Sequence, residues 1–345
     1  MTLIYFIFVL GITILVHEFG HFLFAKRAGV YVYEFSIGMG PRIFKWKRKN
    51  DVTEYSIRLF PIGGFVSMAG EDSEDKKIPA DQQLCNKSWS ERFLTLSAGV
   101  VFNFILAIIL LFVVGLLNGS PIKETTIKSL EKDFPITKTN IKANDKIIKV
   151  NKVKINSYEE LTLELAVNDG KPVTFTVEHS NHKLEKVKVK PAKVKKDDKE
   201  VYKYGFVLNT EHEKGVIVSV KYAFTKTGKL VKQMFTILKY LVTGKLNLNN
   251  LSGPVGIYQA VGSAKDAGFI SVIYLIAYLC INIGFINFIP FPAFDGGRIL
   301  FLVIEKIKGS KVNPKVENTI HLIGFGFLIL LMFLVTFNDI VRLFN

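Results

Sequence analysis

Met1-Thr-Leu-Ile-Tyr-Phe-Ile-Phe-Val-Leu-Gly-Ile-Thr-Ile-Leu-Val-His17-Glu18-Phe-Gly-His21-Phe-Leu-Phe-Ala25 is an apolar run interrupted by two histidines and one glutamate. Residues 1–16 carry no charge, and the run is longer than the roughly 20 residues that carry a helix across a bilayer. It reads as a spanning helix that ends at Lys26 and Arg27. A cleaved signal peptide is the rival reading. It fits poorly, because no basic segment precedes the run and no small-x-small cleavage site follows it. On a helix, His17 and His21 lie on one face, about 5–6 Å apart at Cβ, so both imidazoles can reach one Zn²⁺. Glu18 stands beside the first of them, where a carboxylate can take the proton of a water attacking a peptide carbonyl. Three ionisable side chains inside an apolar helix cost several kcal/mol unless something compensates them. The alternative to a metal is a polar cluster that packs helices together.

Three more apolar runs follow: residues 93–117, 267–294 and 320–338, the last with His321 as its one ionisable side chain. The chain of 345 residues is 49% hydrophobic, and its mean hydropathy is +0.28. These features predict a polytopic α-helical membrane protein with four transmembrane helices. Its segments are helix 1 with the histidine pair (1–27), a cytoplasmic-side β-hairpin and loop region (28–92), helix 2 (93–118), an inserted α+β domain (121–209), an amphipathic linker with a Gly253-Pro-Val-Gly256 break (210–266), helix 3 (267–298) and helix 4 (319–343). In the first loop region, Thr53–Ser67 reads as short strands with a Pro61, Gly63, Gly64 break. In the insert, strands are expected at Val173–Glu178 and Lys186–Val189 and a helix at Tyr158–Ala166. Tyr222–Thr243 is amphipathic and is expected to lie on the membrane surface.

The net charge of +15 is concentrated in and just after the insert. A nucleic-acid-binding surface is disfavoured, since the lysines lack arginine and aromatic interleaving. A solvated basic surface near anionic lipid is the better reading. Two cysteines, Cys85 and Cys280, indicate neither a disulfide framework nor a thiolate metal site. Lys26, Arg27, Arg42, Lys45, Lys47, Arg48 and Lys49 follow helix 1, which puts that loop in the cytoplasm and the insert and both termini outside.

A catalytic zinc needs three protein ligands and an open position. Asp295 ends the charge-free run of helix 3, after Asn287-Phe-Ile-Pro290-Phe-Pro292-Ala-Phe and before Gly296 and Gly297. Prolines and glycines open the helix there, so its carboxylate can turn inward. A simple cap on the following helix is the competing role for Asp295, and His321 is the competing third ligand.

His17-Glu-Phe-Gly-His21 together with Asn287-x-x-Pro-x-Pro-x-x-Asp295-Gly-Gly resembles the site-2 protease family of intramembrane zinc metalloproteases, within it the bacterial regulator-of-sigma-E protease branch. The resemblance spans essentially the whole chain. It implies one catalytic Zn²⁺ on His17, His21 and Asp295, Glu18 as catalytic base, and Asn287 holding the substrate backbone. Ala98-Gly99-Val100-Val101-Phe102-Asn103 resembles the family's Ala-Gly-Pro-x-x-Asn, with Val100 in place of proline. Ile141–Ile155 resembles a PDZ pattern in which Asn144 and Lys152 stand at two turn glycines. Asparagine tolerates a left-handed backbone better than lysine. The expected substrates are transmembrane segments already trimmed by another protease, either anti-sigma factor remnants or leftover signal peptides. The PDZ-like domain is expected to act as a size filter. Tyr55–Ser67 is expected to be an edge strand that pairs with unwound substrate, with Gly63, Gly64, Pro290 and Pro292 at the substrate site. The expected location is the bacterial cytoplasmic membrane, with lipid as a partner and nucleic acid not. A catalytically inactive scaffold whose PDZ-like domain binds peptides is the second function class.

Overall fold

The computed structural model describes residues 1–71, 74–196, 199–246 and 251–344. Within the linker expected at 210–266, residues 247–250 lie outside the described residues. In chain order the elements begin with α1 (Thr2–Arg27), β1 (Val32–Lys47), β2 (Glu54–Met68) and α2 (Trp89–Asn118). There follow β3 (Ser120–Pro121), β4 (Ile127–Leu130), β5 (Lys146–Val150), β6 (Val153–Lys154), α3 (Tyr158–Val167), β7 (Val173–Glu178) and β8 (Leu184–Val189). Next are β9 (Ala192–Lys196), β10 (Lys199–Lys203), β11 (Phe206–Leu208), β12 (His212–Glu213) and α4 (Val216–Val242). Last are α5 (Pro254–Ala267), α6 (Phe269–Phe288), α7 (Asp295–Lys308) and α8 (Pro314–Phe344). The chain forms two compact units, residues 1–111 with 248–345 and residues 112–247. Among the described residues, four helices are long and apolar enough to cross a membrane: α1, α2, α6 and residues Pro314–Val341 of α8.

In the first unit, α1 stops where its basic end predicts. Gly29 takes a φ of +67°, and the Val30 N–H donates back to the Ala25 carbonyl at 2.9 Å, a left-handed helix stop that satisfies the last carbonyls. From the last turn of α1, Lys26 bonds Asp51 at 2.6 Å. Burial alone would raise the Asp51 carboxyl, but Lys26, the Thr53 N–H and the Tyr55 hydroxyl together hold it well below the usual carboxylate range.

β1 and β2 make a tighter sheet than one hairpin. Phe35 faces Val66 on one side and Tyr55 on the other, while Tyr55 also faces Trp46. Residues 54–57 are therefore interior to the sheet, and among the described residues only the 64–68 half of β2 lacks a strand on its other side. The expected edge strand over Tyr55–Ser67 thus shrinks to its C-terminal part, because β2 bends at Phe60–Gly63 and flanks β1 twice. Buried Glu34 ties the layers through Arg42 at 2.6 Å, Arg58 at 2.8 Å and Ser56 at 2.5 Å. The bend does not stay beyond the end of α1. The Pro61 carbonyl lies 3.2 Å from where a Cβ on Gly11 would sit, and Gly11 is about 24 Å of helix from Arg27. The loop region therefore reaches the middle of the apolar run of α1. Irregular backbone at that depth is tolerated where protein covers it.

Helix α6 ends at Phe288 because Ile289 and Phe291 precede prolines, which disfavour helical backbone. The chain re-enters a helix at Asp295. Gly296 and Gly297 permit this, since a Cβ on Gly297 would meet the Phe291 carbonyl carbon at 3.0 Å and one on Gly296 would meet that of Phe288 at 2.6 Å. Ala293 bears a φ of +82°, a strained value for a residue with a side chain. Its N–H donates to His321 Nδ1 of α8 at 3.0 Å.

The second unit holds a four-stranded sheet in the order β6-β5-β7-β8, with α3 and the pair β4–β11. Ile127, Ile147, Val150, Leu161, Phe175 and Val177 form its buried centre. Asn144 takes a φ of +70°, as the pattern asks. At the next turn the positive φ falls on Asn151, at +53°, and not on Lys152. The Asn151 side chain secures that turn by accepting from the Thr174 N–H at 2.9 Å. Helix α4 packs on α3 through buried Lys226–Glu159, Lys232–Glu160 at 2.6 Å and Tyr240–Glu164.

Candidate metal centre

His17 and His21 project from α1 into the interior, each 6% exposed. They meet α2 where side chains are small. A Cβ on Gly20 would strike the Ala98 carbonyl carbon at 2.7 Å, so the two backbones touch there, as small residues allow between membrane helices. Gly99 lies directly under the imidazoles. A Cβ on it would fall 2.8 Å from His17 Nε2 and closer still to His21 Nε2.

Asp295 completes the cluster. Its Oδ2 is 3.0 Å from His17 Nε2 and 3.3 Å from His21 Nε2. The two histidine nitrogens are 3.2 Å apart. These three atoms form a nearly equilateral triangle. Zinc bonds of about 2.0–2.1 Å in a tetrahedron set ligand atoms about 3.3 Å from one another, so the donor set fits zinc. The chemistry agrees: Asp295 Oδ2 is buried and makes no well-aligned hydrogen bond among the described residues, although the two imidazole nitrogens stand beside it. His21 Nδ1 lies 2.8 Å from the Thr95 carbonyl. A proton on Nδ1 then donates to that carbonyl and leaves the Nε2 lone pair aimed into the triangle, the usual outer bond of a metal-binding histidine.

Glu18, on the same helix turn, accepts from the Val66 N–H at 3.2 Å. Val66 lies on the half of β2 with the open side. Asn287, in the last turn of α6, has its amide nitrogen 3.5 Å from His17 Nε2. The structure thus brings Glu18, Asn287 and the expected ligands into one place. His321 is not in the cluster, since its Nδ1 serves Ala293. Pro290 is exposed, and Pro292 packs on α8, where a Cβ on Gly324 would meet its Cβ at 2.5 Å. The missing side chain at Gly64 makes room for the Ser36 carbonyl of β1, and Gly63, at a φ of +80°, lies against Ile14. The close approach these glycines permit is internal to the unit. The sequence assigned no role of their own to Thr95, Gly99 and Val66, although Gly99 stands in the Ala98–Asn103 motif and Val66 in the expected edge strand. Two of the three act through backbone atoms, which carry no residue signature.

The profile of peptidase family M50 matches residues 5–331. The regulator of sigma-W protease RasP of Bacillus subtilis is 33% identical over 99% of this chain and 99% of its own. Zinc metalloproteases RasP of Bacillus licheniformis and Oceanobacillus iheyensis are 32% and 30% identical, each over 99% of both chains. Four spanning helices, a donor triangle of zinc dimensions and matches along nearly the entire length converge, and this chain belongs to peptidase family M50, the site-2 proteases, as a multi-pass membrane zinc metalloendopeptidase.

Proposed function

We propose that His17, His21 and Asp295 hold the zinc, that Glu18 is the base, and that the substrate is an unwound transmembrane segment of a single-pass protein. The observation that carries this is the donor triangle with Glu18 one residue from its first ligand. A zinc ion there supplies Lewis acidity, polarising the scissile carbonyl and making water a nucleophile near neutral pH. Glu18 takes the proton of the attacking water and passes it to the leaving amine. The Val66 N–H fixes the carboxylate while it does so. Asn287 faces the same space and orients the substrate carbonyl. In the purified protein, Glu18→Gln should keep zinc and lose cleavage of a model membrane helix by about 10²–10⁴-fold, while His21→Ala should lose the metal. Zinc retained in His21→Ala, or full activity in Glu18→Gln, would defeat the assignment.

A membrane helix keeps its carbonyls in its own hydrogen bonds and unwinds only when other partners appear. Residues 64–68 of β2 offer such partners on the side without a neighbouring strand, apart from the Val66 N–H that Glu18 already holds, so the substrate pairs there by strand addition. Because strand partners use every second amide, N-methylation of the substrate at alternate positions should alternate in its effect on KM. An effect independent of position removes the strand-addition reading.

The substrates are segments trimmed beforehand by another protease, of the anti-sigma factor or signal-peptide remnant kind. The relative from Bacillus subtilis carries the name regulator of sigma-W protease, which favours the first. The insert, read as PDZ-like, selects for trimmed chains. Basic residues following α1 favour the bacterial cytoplasmic membrane with the insert outside. Protease added to intact spheroplasts should then cut the insert, and cutting only after lysis would reverse the orientation.

A further inference from the structure

We infer that Asn103 is a positioning residue for the metal, setting the tautomer of His17 by accepting a hydrogen bond from its Nδ1–H. The inference rests on the ligand assignment proposed above and concerns a group that never touches the metal. Asn103 is fully buried on α2. Its side-chain nitrogen lies 3.3 Å from His17 Nδ1, and its Oδ1 is buried with no hydrogen-bond partner among the described residues. An amide oxygen stranded in an apolar interior costs about 1–3 kcal/mol.

The two ends of the amide exchange by a half-turn that occupies the same volume. With the nitrogen toward His17, Nδ1 must accept, so the ring proton sits on Nε2, inside the triangle where the metal belongs. With Oδ1 toward His17, Nδ1 carries the proton and Nε2 presents its lone pair to the metal. The half-turn therefore gives Oδ1 a partner and frees the ligand nitrogen at once. His21 obtains the same result from the Thr95 carbonyl, 2.8 Å from its Nδ1. Each ligand histidine thus draws its outer acceptor from α2, one from the backbone and one from Asn103. A polar side chain at membrane depth is expected to have such a function.

The test uses the full chain in detergent and reads zinc retention against a chelator together with the thermal midpoint with and without zinc. Asn103→Leu should lower zinc affinity about 10–100-fold, the usual effect of losing an outer-shell partner. Its metal-free midpoint should stay near that of the wild type while the zinc-induced rise shrinks. Asn103→Asp, which still offers an acceptor, should restore retention. Should the leucine variant not fold, Asn103→Ser, too short to reach the ring, replaces it with the same expectation. Wild-type retention in the leucine or serine variant overturns the inference, and so does failure of aspartate to restore it. The controls His17→Ala and His21→Ala separate the two levels: if they keep zinc, the ligand assignment itself is at fault.

Discussion

At Gly99 a single methyl group would stand 2.8 Å from His17 Nε2 and nearer still to His21 Nε2. The backbone beneath it has little room to retreat, because Ala98 already touches Gly20 of α1. In Gly99→Ala we expect zinc content to fall below a tenth of the wild-type value while helix content is unchanged, measured by metal analysis and circular dichroism on one sample. Full zinc occupancy would show that the two helices part more easily than their contact indicates. The three donors that the structure brings together were legible in sequence because imidazole and carboxylate are expensive at membrane depth and so stand out. Gly99 was not, since glycine is common in membrane helices and its role here is the volume it leaves to another residue's nitrogen. Asn103 offered an intermediate signal: a polar side chain inside a charge-free run, whose partner only the fold could supply.

At the scale of elements, α3 and α4 present a buried charge pair, Glu159 and Lys226, at 5% and 7% exposure. Burial pushes the Glu159 carboxyl up, yet the Lys226 ammonium more than offsets this and holds it below the usual value. Burial likewise lowers Lys226, and Glu159 outweighs it, so the ammonium is raised. The lowered acid stabilises the fold above its unfolded value of 4.5 and loses that contribution as pH falls through its folded value. The raised lysine contributes fully below its unfolded value of 10.5 and loses it as pH rises through the folded value. Between these limits the pair is insensitive to pH. Lys226→Met strands the carboxylate and should reduce the opening free energy of α3 by about 3–5 kcal/mol, read by hydrogen exchange. Adding Glu159→Met should recover most of that loss, and no recovery would mean that Lys226 stabilises α3 by packing. The far side of α4 bears Ile217, Phe224, Phe235 and Val242, exposed at 85%, 61%, 58% and 81%. Their spacing makes a single stripe, the signature of a helix lying in a lipid interface. A fluorophore at Phe235→Cys, in protein lacking Cys85 and Cys280, should be quenched by lipid-borne nitroxide after reconstitution. Quenching by aqueous iodide alone would place the stripe in water.

Across the whole molecule, the four spanning helices could be read directly, because bilayer thickness imposes a length that few other structures require. Helix α5 was hidden, and α7 was anticipated only as a helix following Asp295. One follows a Gly-Pro break and the other begins with Asp-Gly-Gly, and both look like punctuation until their neighbours are known. The double flanking of β1 by β2 was equally hidden, since register across a bend is a long-range fact. The attachment of the insert was also invisible in sequence. β3 and β12 pair His212 with Pro121, and the Ile122 N–H donates to the Glu211 carbonyl at 2.9 Å. Entry and exit of the insert therefore lie side by side, so its removal asks for only a short bridge. That makes the filter reading testable without dismantling the metal centre. In a chain lacking Lys123–Asn209, zinc content and cleavage of a bare membrane helix should match the full protein. A single-pass substrate that keeps its large outer domain should change from resistant to cleaved. If the deletion variant still spares that substrate, selection for trimmed chains resides in the membrane-spanning unit, and the preferred partner of the insert must be sought elsewhere.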